Sequence, residues 1–269
     1  MAVKIHQLAV VDPSAKLDEG VEVAPFAVIK ADVEIGSGTY VGPHSVIECA
    51  RIGKNNYFHA SVYLGAPPQD FSYKGEKTLA IIGDGNIIRE GASVHRGSAA
   101  TGETRVGSRC MLMANTHVGH DCRVGNDVIM VNYAGLAGHV LVEDKAILSG
   151  HTAIHQFTRV GCMCMIGAGS MVTKDIAPYC IAQGDRAGLV GLNLVGLRRA
   201  GLPRESIHSM KHVYKTLFMS GLRVQEAVAK LQGEQLSPEA RHMLDFCSQG
   251  KRGLTRPRML KVHEEGGGE

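Results

Sequence analysis

Aliphatic residues recur along this chain at every sixth position. From Val106 the series runs through Leu112, Val118, Val124, Met130, Leu136, Val142, Leu148, Ile154, Val160 and Ile166 to Val172 without a break. The same beat links Val11, Leu17, Val23, Ile29, Ile35, Val41 and Ile47, and it resumes at Ile82, Ile88 and Val94. A period of six is neither that of a helix nor that of a plain amphipathic strand. It predicts a hexapeptide solenoid, in which six residues make one short strand and one corner, and three such units close a triangular turn. Each aliphatic side chain then points inward and stacks on its equivalent 18 residues away, about 4.8 Å along the axis. A β-sandwich would instead alternate with turn signals at irregular spacing. The span from about Val11 to Ile176 holds roughly nine or ten turns at this period.

Glycine often follows the aliphatic position, as at Gly36, Gly42, Gly107, Gly119 and Gly125. Glycine or asparagine in a corner tolerates left-handed backbone angles, and Asn55, Asn86 and Asn126 stand in such contexts. Two stretches break the beat. Gly65 to Thr78, with two prolines, reads as a loop thrown out from a corner; Arg96 to Thr104 reads as a smaller one. Loops on a rigid scaffold are where binding residues concentrate, although tolerated insertions look the same. After Pro178 the beat stops. Helices are predicted over 192–200, 204–219, 222–231 and 238–246, with Ile207, Met210, Tyr214, Leu217 and Phe218 as the apolar stripe of the second and Ser237 as N-cap of the last. The end, Glu264 to Glu269, is expected to fray. These readings divide the chain into residues 1–190 and a helical unit, 191–269.

Small side chains on flat prism faces favour packing of several copies, and Ala114, Ala134 and Ala137 are candidates. With 44% hydrophobic and 20% charged residues, the 269-residue chain is neither disordered nor a membrane bundle. No apolar run reaches transmembrane length, and Met1 to Val11 lacks the features of a signal peptide, so a cytoplasmic protein without a transmembrane segment is expected. Seven cysteines, an odd number, suit a reducing compartment. Residues 198–269 carry 13 Lys and Arg against 8 Asp and Glu, within a net charge of +3. That bias is too weak for nucleic acid but suits phosphates or an acidic protein partner.

Six of the 13 histidines fall between residues 95 and 155: His95, His117, His120, His139, His151 and His155. The steps from His120 to His139 and on to His155 are each close to one turn, so these rings should line one edge of the prism. In Asn115-Thr-His-Val-Gly-His-Asp121 two histidines bracket the inward Val118 and a carboxylate follows. A neutral imidazole held by a second polar group is what a general base for a hydroxyl requires. Asp121 cannot be assigned as that partner from sequence, since adjacent residues can point apart. Zinc is the competing use of such histidines, but it needs three or four converging ligands, and neither His117-x-x-His120 nor Cys162-x-Cys164 supplies a matching set.

The ordered stretches Gln69-Asp-Phe71, Ile87-Ile-Arg-Glu90, His95-Arg-Gly97, His117 to Asp121, Leu136-Ala-Gly-His139, His155-Gln-Phe157, Ile181-Ala-Gln-Gly184, Asn193 to Arg199 and Arg252-Gly-Leu254 are more specific than the repeat. In them the chain resembles, over nearly its whole length, the acyl-ACP:UDP-N-acetylglucosamine O-acyltransferase family that opens lipid A synthesis. The resemblance implies an all-β, single-stranded left-handed parallel β-helix with a C-terminal α-helical domain, assembled as a homotrimer with sites between subunits. It implies transfer of an (R)-3-hydroxyacyl group from acyl carrier protein to the 3-hydroxyl of UDP-N-acetylglucosamine, with no metal and no cofactor. His120 matches the general base, and Gly138 the residue whose backbone N–H faces the thioester carbonyl. Asp70 matches a sugar-binding carboxylate; His117, His139 and His155 line the cleft; Gln156, Asn193 and Arg199 lie near the nucleotide. Ala168 matches the stop at the end of the acyl groove, where glycine goes with long chains and methionine with short ones, so a chain of about 12–14 carbons is expected. Three positions depart from the pattern: Ser72 replaces a frequent loop lysine, with Lys74 nearby, and Val195 and Ala200 replace a glutamate and a second arginine. A non-catalytic scaffold on the same fold is the other class of reading.

Overall fold

The computed structural model describes residues 2–258; the last residues, from 259 on and including the end expected to fray, lie outside the described residues. Almost every six-residue unit contributes a two-residue strand, and the strands form three sheets of 11, 9 and 8 members. Successive members are parallel and 18 residues apart, as in Lys4↔Glu22 and Leu141↔Arg159, so one coil visits all three sheets. The result is a three-sided parallel β-helix. Every member of the long aliphatic series from Val106 to Val172 is buried. Of the earlier series, only Val11 and Leu17 are less than fully covered, at the N-terminal end where fewer coils lie above them.

Both predicted excursions are insertions into this register. Pairing jumps to 30 residues across the first, as in Ala50↔Ala80, and to 24 across the second, as in Ser93↔His117. The coils therefore close beneath each loop and continue in register.

The interior holds a second column that the six-residue beat conceals. Two positions before each stacked aliphatic residue lies another buried one, as at Ala27, Val33, Ala92, Cys110, Cys122, Val128, Ala134, Val140 and Cys164. Ala134 is therefore core, not the prism-face residue expected, because this position also points inward near a corner where only small side chains fit. Cys110, Cys122 and Cys164 donate from Sγ to the backbone carbonyls of Gly125, Ala137 and Ala177 at 3.0–3.1 Å. In the same column Asn56 Oδ1 accepts from the backbone N–H and side chain of Asn86, and Asn86 Oδ1 accepts from Cys110 N–H at 2.7 Å.

The left-handed corner also differs from expectation. It lies three residues after the stacked aliphatic residue and is taken mostly by non-glycine residues, among them Arg109, Asn115, Asp121, Asp127, Tyr133, His139 and Phe157. Asn55 adopts it, but Asn86 and Asn126 do not; their side chains bond neighbouring coils instead. The glycine after the aliphatic residue has a different cause. At Gly42 a Cβ would sit 2.4 Å from a carbonyl oxygen of the next coil, so close approach of backbones excludes any side chain.

Beyond the last coil, Cys180–Gln183 and Gly188–Leu192 form an antiparallel hairpin, followed by α1 (Leu194–Arg199), α2 (Arg204–Phe218), α3 (Val224–Gln232) and α4 (Pro238–Ser248). All four predicted helices exist, each shifted by no more than two residues at either end. Ser237 caps α4 through Ala240 N–H, and Ile207, Met210, Tyr214 and Leu217 are buried on α2. The chain then returns to the prism: Asp175 and Leu254 form a parallel bridge. Arg159 clamps this junction, with Nε 2.8 Å from buried Asp175, Nη2 on the Phe246 carbonyl and its guanidinium 4.1 Å above the Phe246 ring.

The second inward column gives a direct test. Ala134→Leu should lower unfolding free energy by about 1–3 kcal/mol through overpacking, whereas Ala99→Leu, on the exposed turn of the second insertion, should change it by less than about 0.5 kcal/mol. Denaturant melts of both variants decide the placement.

Candidate active site

One sheet carries the site on its outer face. Its strands Ser93–His95, His117–Val118, Gly135–Leu136 and Ala153–Ile154 stack in register, with Ser93, His117, Gly135 and Ala153 in one outward column. The corner that follows adds three columns, residues 119, 137 and 155, then 120, 138 and 156, then 121, 139 and 157. His120, His139 and His155 thus occupy three different columns. Their near-18 spacings place them on successive coils but not in one file.

The outward strand column and the first two corner columns supply His117, His120, Ala137, Gly138 and Gln156 to the lining of a cleft of about 450 Å³, with His95, Leu136 and Gln69 of the first loop; the column of residues 121, 139 and 157 lies behind that lining. His120 sits in it with Nδ1 2.6 Å from Asp121 Oδ2. A carboxylate only accepts, so Nδ1 carries a proton, and in the neutral ring the lone pair is on Nε2. Asp121 succeeds as a partner because its left-handed conformation turns the side chain back beside its neighbour, which an extended strand forbids. Its side chain is completely buried. Burial pushes the carboxyl up, but hydrogen bonds from Thr101, His120 and Ser98 outweigh this and hold it below the usual carboxylate range.

The second insertion is what secures this carboxylate. Ser98 N–H reaches Asp121 Oδ1 at 3.0 Å, and the Thr101 hydroxyl donates to the same oxygen. The Asp121 N–H donates to Thr104 Oγ1 at 2.7 Å. His139 closes the far side, its ring stacked 4.5 Å from Phe157 and edge-on to His120 at 5.2 Å, with Nε2 3.6 Å from Asp121. Asp121, Ser98, Thr101 and Thr104 went unassigned in the sequence; the carboxylate directly after His120 was the available signal.

Gly138 packs against the same ring. A Cβ built there would lie 2.6 Å from His120 Nε2, so any other residue would displace the imidazole. The Gly138 carbonyl accepts from Phe157 N–H, while its own N–H has no protein acceptor among the described residues. His117 accepts or donates at Nδ1 with Ser93 Oγ, 2.9 Å away, and packs edge-on against His95. Desolvation first, then the neighbouring imidazoles, lowers both rings, His95 to about 4. Both are therefore neutral near pH 7.

The other predicted residues are placed as follows. Asp70, in the first loop, accepts from Ser72 N–H at 2.8 Å; that bond, chiefly, holds its carboxyl low, and His120 is near enough to add to the effect. The loop is pinned by Arg96, which donates to Tyr73 Oη at 2.8 Å and to the Gly65 carbonyl. Ser72 and Lys74 are exposed. His155 and Gln156 are exposed at the cleft's edge, where His155 Nδ1 accepts from Arg252 at 3.0 Å. Asn193 is buried: Oδ1 caps α1 at Gly196 N–H and Nδ2 donates to the Met163 carbonyl, both at 3.0 Å. Arg199 is exposed in the last turn of α1, and Ala168 is exposed on a corner between Met165 and Met171.

His120, Asp121 and His139 also form a group whose ligand atoms lie within 4.8 Å of one another. The three protein donors to Asp121, one of them His120 Nδ1, already engage the facing ligand atoms of these two residues.

The chain matches the family model of a bacterial transferase hexapeptide over residues 14–49 and 103–138, and that of UDP-N-acetylglucosamine O-acyltransferase, domain 2, over 175–255. It is 50% identical over 256 residues to the acyl-[acyl-carrier-protein]–UDP-N-acetylglucosamine O-acyltransferase of Myxococcus xanthus, and 45% identical to that of Thermodesulfovibrio yellowstonii; each match covers 94% of this chain and 99% of the relative. The solved UDP-N-acetylglucosamine acyltransferase of Francisella novicida superposes with a TM-score of 0.90 at 38% identity, covering 94% of both chains. A three-sided hexapeptide prism, a four-helix C-terminal part and likeness of this extent lead to one assignment: the chain belongs to the acyl-[acyl-carrier-protein]–UDP-N-acetylglucosamine O-acyltransferase family.

Proposed function

We propose that this enzyme transfers an (R)-3-hydroxyacyl group from acyl carrier protein to the 3-hydroxyl of UDP-N-acetylglucosamine, as a cytoplasmic homotrimer and without a cofactor. The observation that carries the reading is the His120–Asp121 pair, proton on Nδ1 and lone pair on Nε2, in a cleft. Nε2 takes the proton of the sugar hydroxyl as its oxygen attacks the thioester carbonyl. Asp121 steadies the imidazolium that forms. The oxyanion of the tetrahedral intermediate is met by the unpaired Gly138 N–H, a donor fixed before charge develops. Collapse expels the carrier's thiolate, which takes the proton back from His120.

Around this centre Asp70 holds the sugar, His117, His139 and His155 line its path, and Gln156, Asn193 and Arg199 lie toward the nucleotide. Asn193 acts there by fixing the start of α1, since its side chain is already engaged. Arg198, Arg204, His208 and Lys211 surround a cleft of about 580 Å³ on the helical part, a cationic surface suited to an acidic carrier protein. Phe71 stands fully exposed at the tip of the Asp70 loop. An apolar ring there suits cover by a neighbouring prism, which is the support for a shared site. Residues 1–190 then form the acyl-transfer unit and 191–269 the helical unit.

Incubation with UDP-N-acetylglucosamine and carrier proteins bearing hydroxyacyl chains of different lengths should give the O-acylated nucleotide sugar, identified by mass. No product with any chain, beside an active control enzyme, would favour the scaffold reading. His120→Ala and Asp121→Asn should each lower kcat by roughly 10²–10⁴-fold, with sedimentation equilibrium still giving a trimer. Retention of more than half the activity by His120→Ala would remove the base assignment. A monomer at micromolar concentration would remove the shared site.

Chain length is tested separately. Ala168 is the proposed stop, and each buried methylene contributes about 0.8 kcal/mol, so neighbouring lengths should differ by a few-fold unless they clash. Comparison of kcat/KM for 10-, 12-, 14- and 16-carbon chains should show a preference for about 12–14 carbons, shifted toward the shortest in Ala168→Met. An unchanged preference would place the stop elsewhere.

A further inference from the structure

A second cluster of reactive groups lies away from the cleft, where α4 meets the prism. Leu141–Val142 and Arg159–Val160 are paired strands of successive coils, so the corners after them bring Glu143 and Cys162 together. The Cys162 N–H donates to Glu143 Oε2 at 2.8 Å. From α4, His242 reaches down between them. Its Nδ1 lies 3.5 Å from Cys162 Sγ and 3.2 Å from Tyr179 Oη, and its Nε2 lies 3.2 Å from Glu143 Oε2. Thiol, imidazole and carboxylate form a relay, with the Cys162 thiol and the Tyr179 hydroxyl on Nδ1 and the Glu143 carboxylate on Nε2.

We propose that Cys162 is an activated thiol, its sulfur held against the His242 ring that Glu143 orients, and that it is a site of covalent modification by hydroperoxides and small electrophiles. Glu143 fixes the Nε2 proton and favours the ring's cation; the cation favours the thiolate. The hydrogen bond to Cys162 and then that to Glu143 raise His242 to about 10, in keeping with a ring that stays charged. Five of the other six cysteines set one contrast: Cys110, Cys122, Cys164, Cys180 and Cys247 are buried, and burial pushes each of their thiols up. Cys49 is half-buried like Cys162 and sets the other, since its Sγ has no imidazole partner among the described residues. Cys162 is half-exposed, and among the described residues it is the cysteine bonded to an imidazole.

The reaction balances without further parts. The thiolate sulfur attacks the outer oxygen of a hydroperoxide, an S–O bond forms as the O–O bond breaks, and the leaving alkoxide takes the proton of His242 Nδ1 as an alcohol. Cys162 is left as a sulfenic acid. Zinc is the competing use, since Glu143, Cys162 and His242 offer ligand atoms within 4.8 Å of one another. The ring's orientation disfavours it: the thiol faces Nδ1 and the carboxylate faces Nε2, so an ion on either nitrogen has one of its ligands behind the ring.

The test is the rate at which iodoacetamide labels Cys162 in the full-length protein at pH 7, followed by peptide mass spectrometry and compared with the same cysteine in urea-unfolded chain. Cys162 should react faster folded than unfolded, whereas a half-buried, unactivated thiol reacts more slowly when folded. His242→Gln and Glu143→Gln should each slow labelling, His242→Gln by about tenfold or more. Direction separates activation from packing, because a variant that merely loosened α4 would expose the thiol and speed its labelling. Treatment with tert-butyl hydroperoxide and dimedone should tag Cys162, with no tag in Cys162→Ser. Slower labelling in the folded chain, unchanged or faster labelling in both variants, or stoichiometric zinc retained through dialysis and lost in Cys162→Ser would overturn the proposal.

Discussion

The structure depends on one constraint, the hydrogen-bonded stacking of each coil on the coil 18 residues away. Parallel pairing fixes the rise near 4.8 Å, and once the rise is fixed every side chain has a same-column neighbour above and below. The interior answers with aliphatic residues in one column and small residues two positions earlier. The outer face inherits the same regularity. Residues 120 and 138 share a column, as do 121, 139 and 157, so the base, the glycine packed against it and the stacked His139–Phe157 pair are placed by the ladder itself. A site built on such a face varies little in position, which is what proton transfer and a single oxyanion donor demand.

The periodicity made the prism legible because a six-residue beat has few rival explanations, and the helices because their stripes and caps are local signals. What stayed hidden has physical reasons. The column of Ala134, Cys122 and Asn86 mixes apolar, thiol and polar residues, since a corner site selects for size and hydrogen bonding rather than hydropathy. Glycines looked like sites of unusual backbone angle, yet Gly42 and Gly138 are required by what lies a few ångströms away, which a single chain position does not reveal. His120 stood out in the sequence with a carboxylate directly after it, but that carboxylate could not be assigned as its partner. Asp121 pairs with it only because a corner residue in the left-handed conformation breaks the alternation that strand reasoning assumes.

Interruptions of the register do what the ladder cannot. A regular coil offers short side chains on a flat face and no means to surround a carboxylate on several sides. The six-residue insertion supplies that enclosure: Ser98 and Thr101 approach Asp121 from outside the coil, and Thr104 takes its N–H as the chain rejoins the sheet. The longer insertion brings Gln69 and Asp70 over the cleft. The two are tied together, because Arg96 at the root of the second holds Tyr73 and Gly65 of the first. Both leave successive coils of the same sheet, directly beside the base.

The same logic explains why burial of Asp121 helps rather than harms. An isolated buried carboxylate would take up a proton and then could donate to His120, placing the imidazole's proton on the wrong nitrogen. Three hydrogen bonds to its oxygens, one from a backbone N–H that cannot rotate away, keep it ionised. Ionised, it accepts only, so the tautomer of His120 follows from the carboxylate's charge state and not from the imidazole's own preference. The enclosing threonine and serine therefore act on the reaction at two removes: they fix the charge of Asp121, Asp121 fixes the proton of His120, and Nε2 is left free toward the cleft.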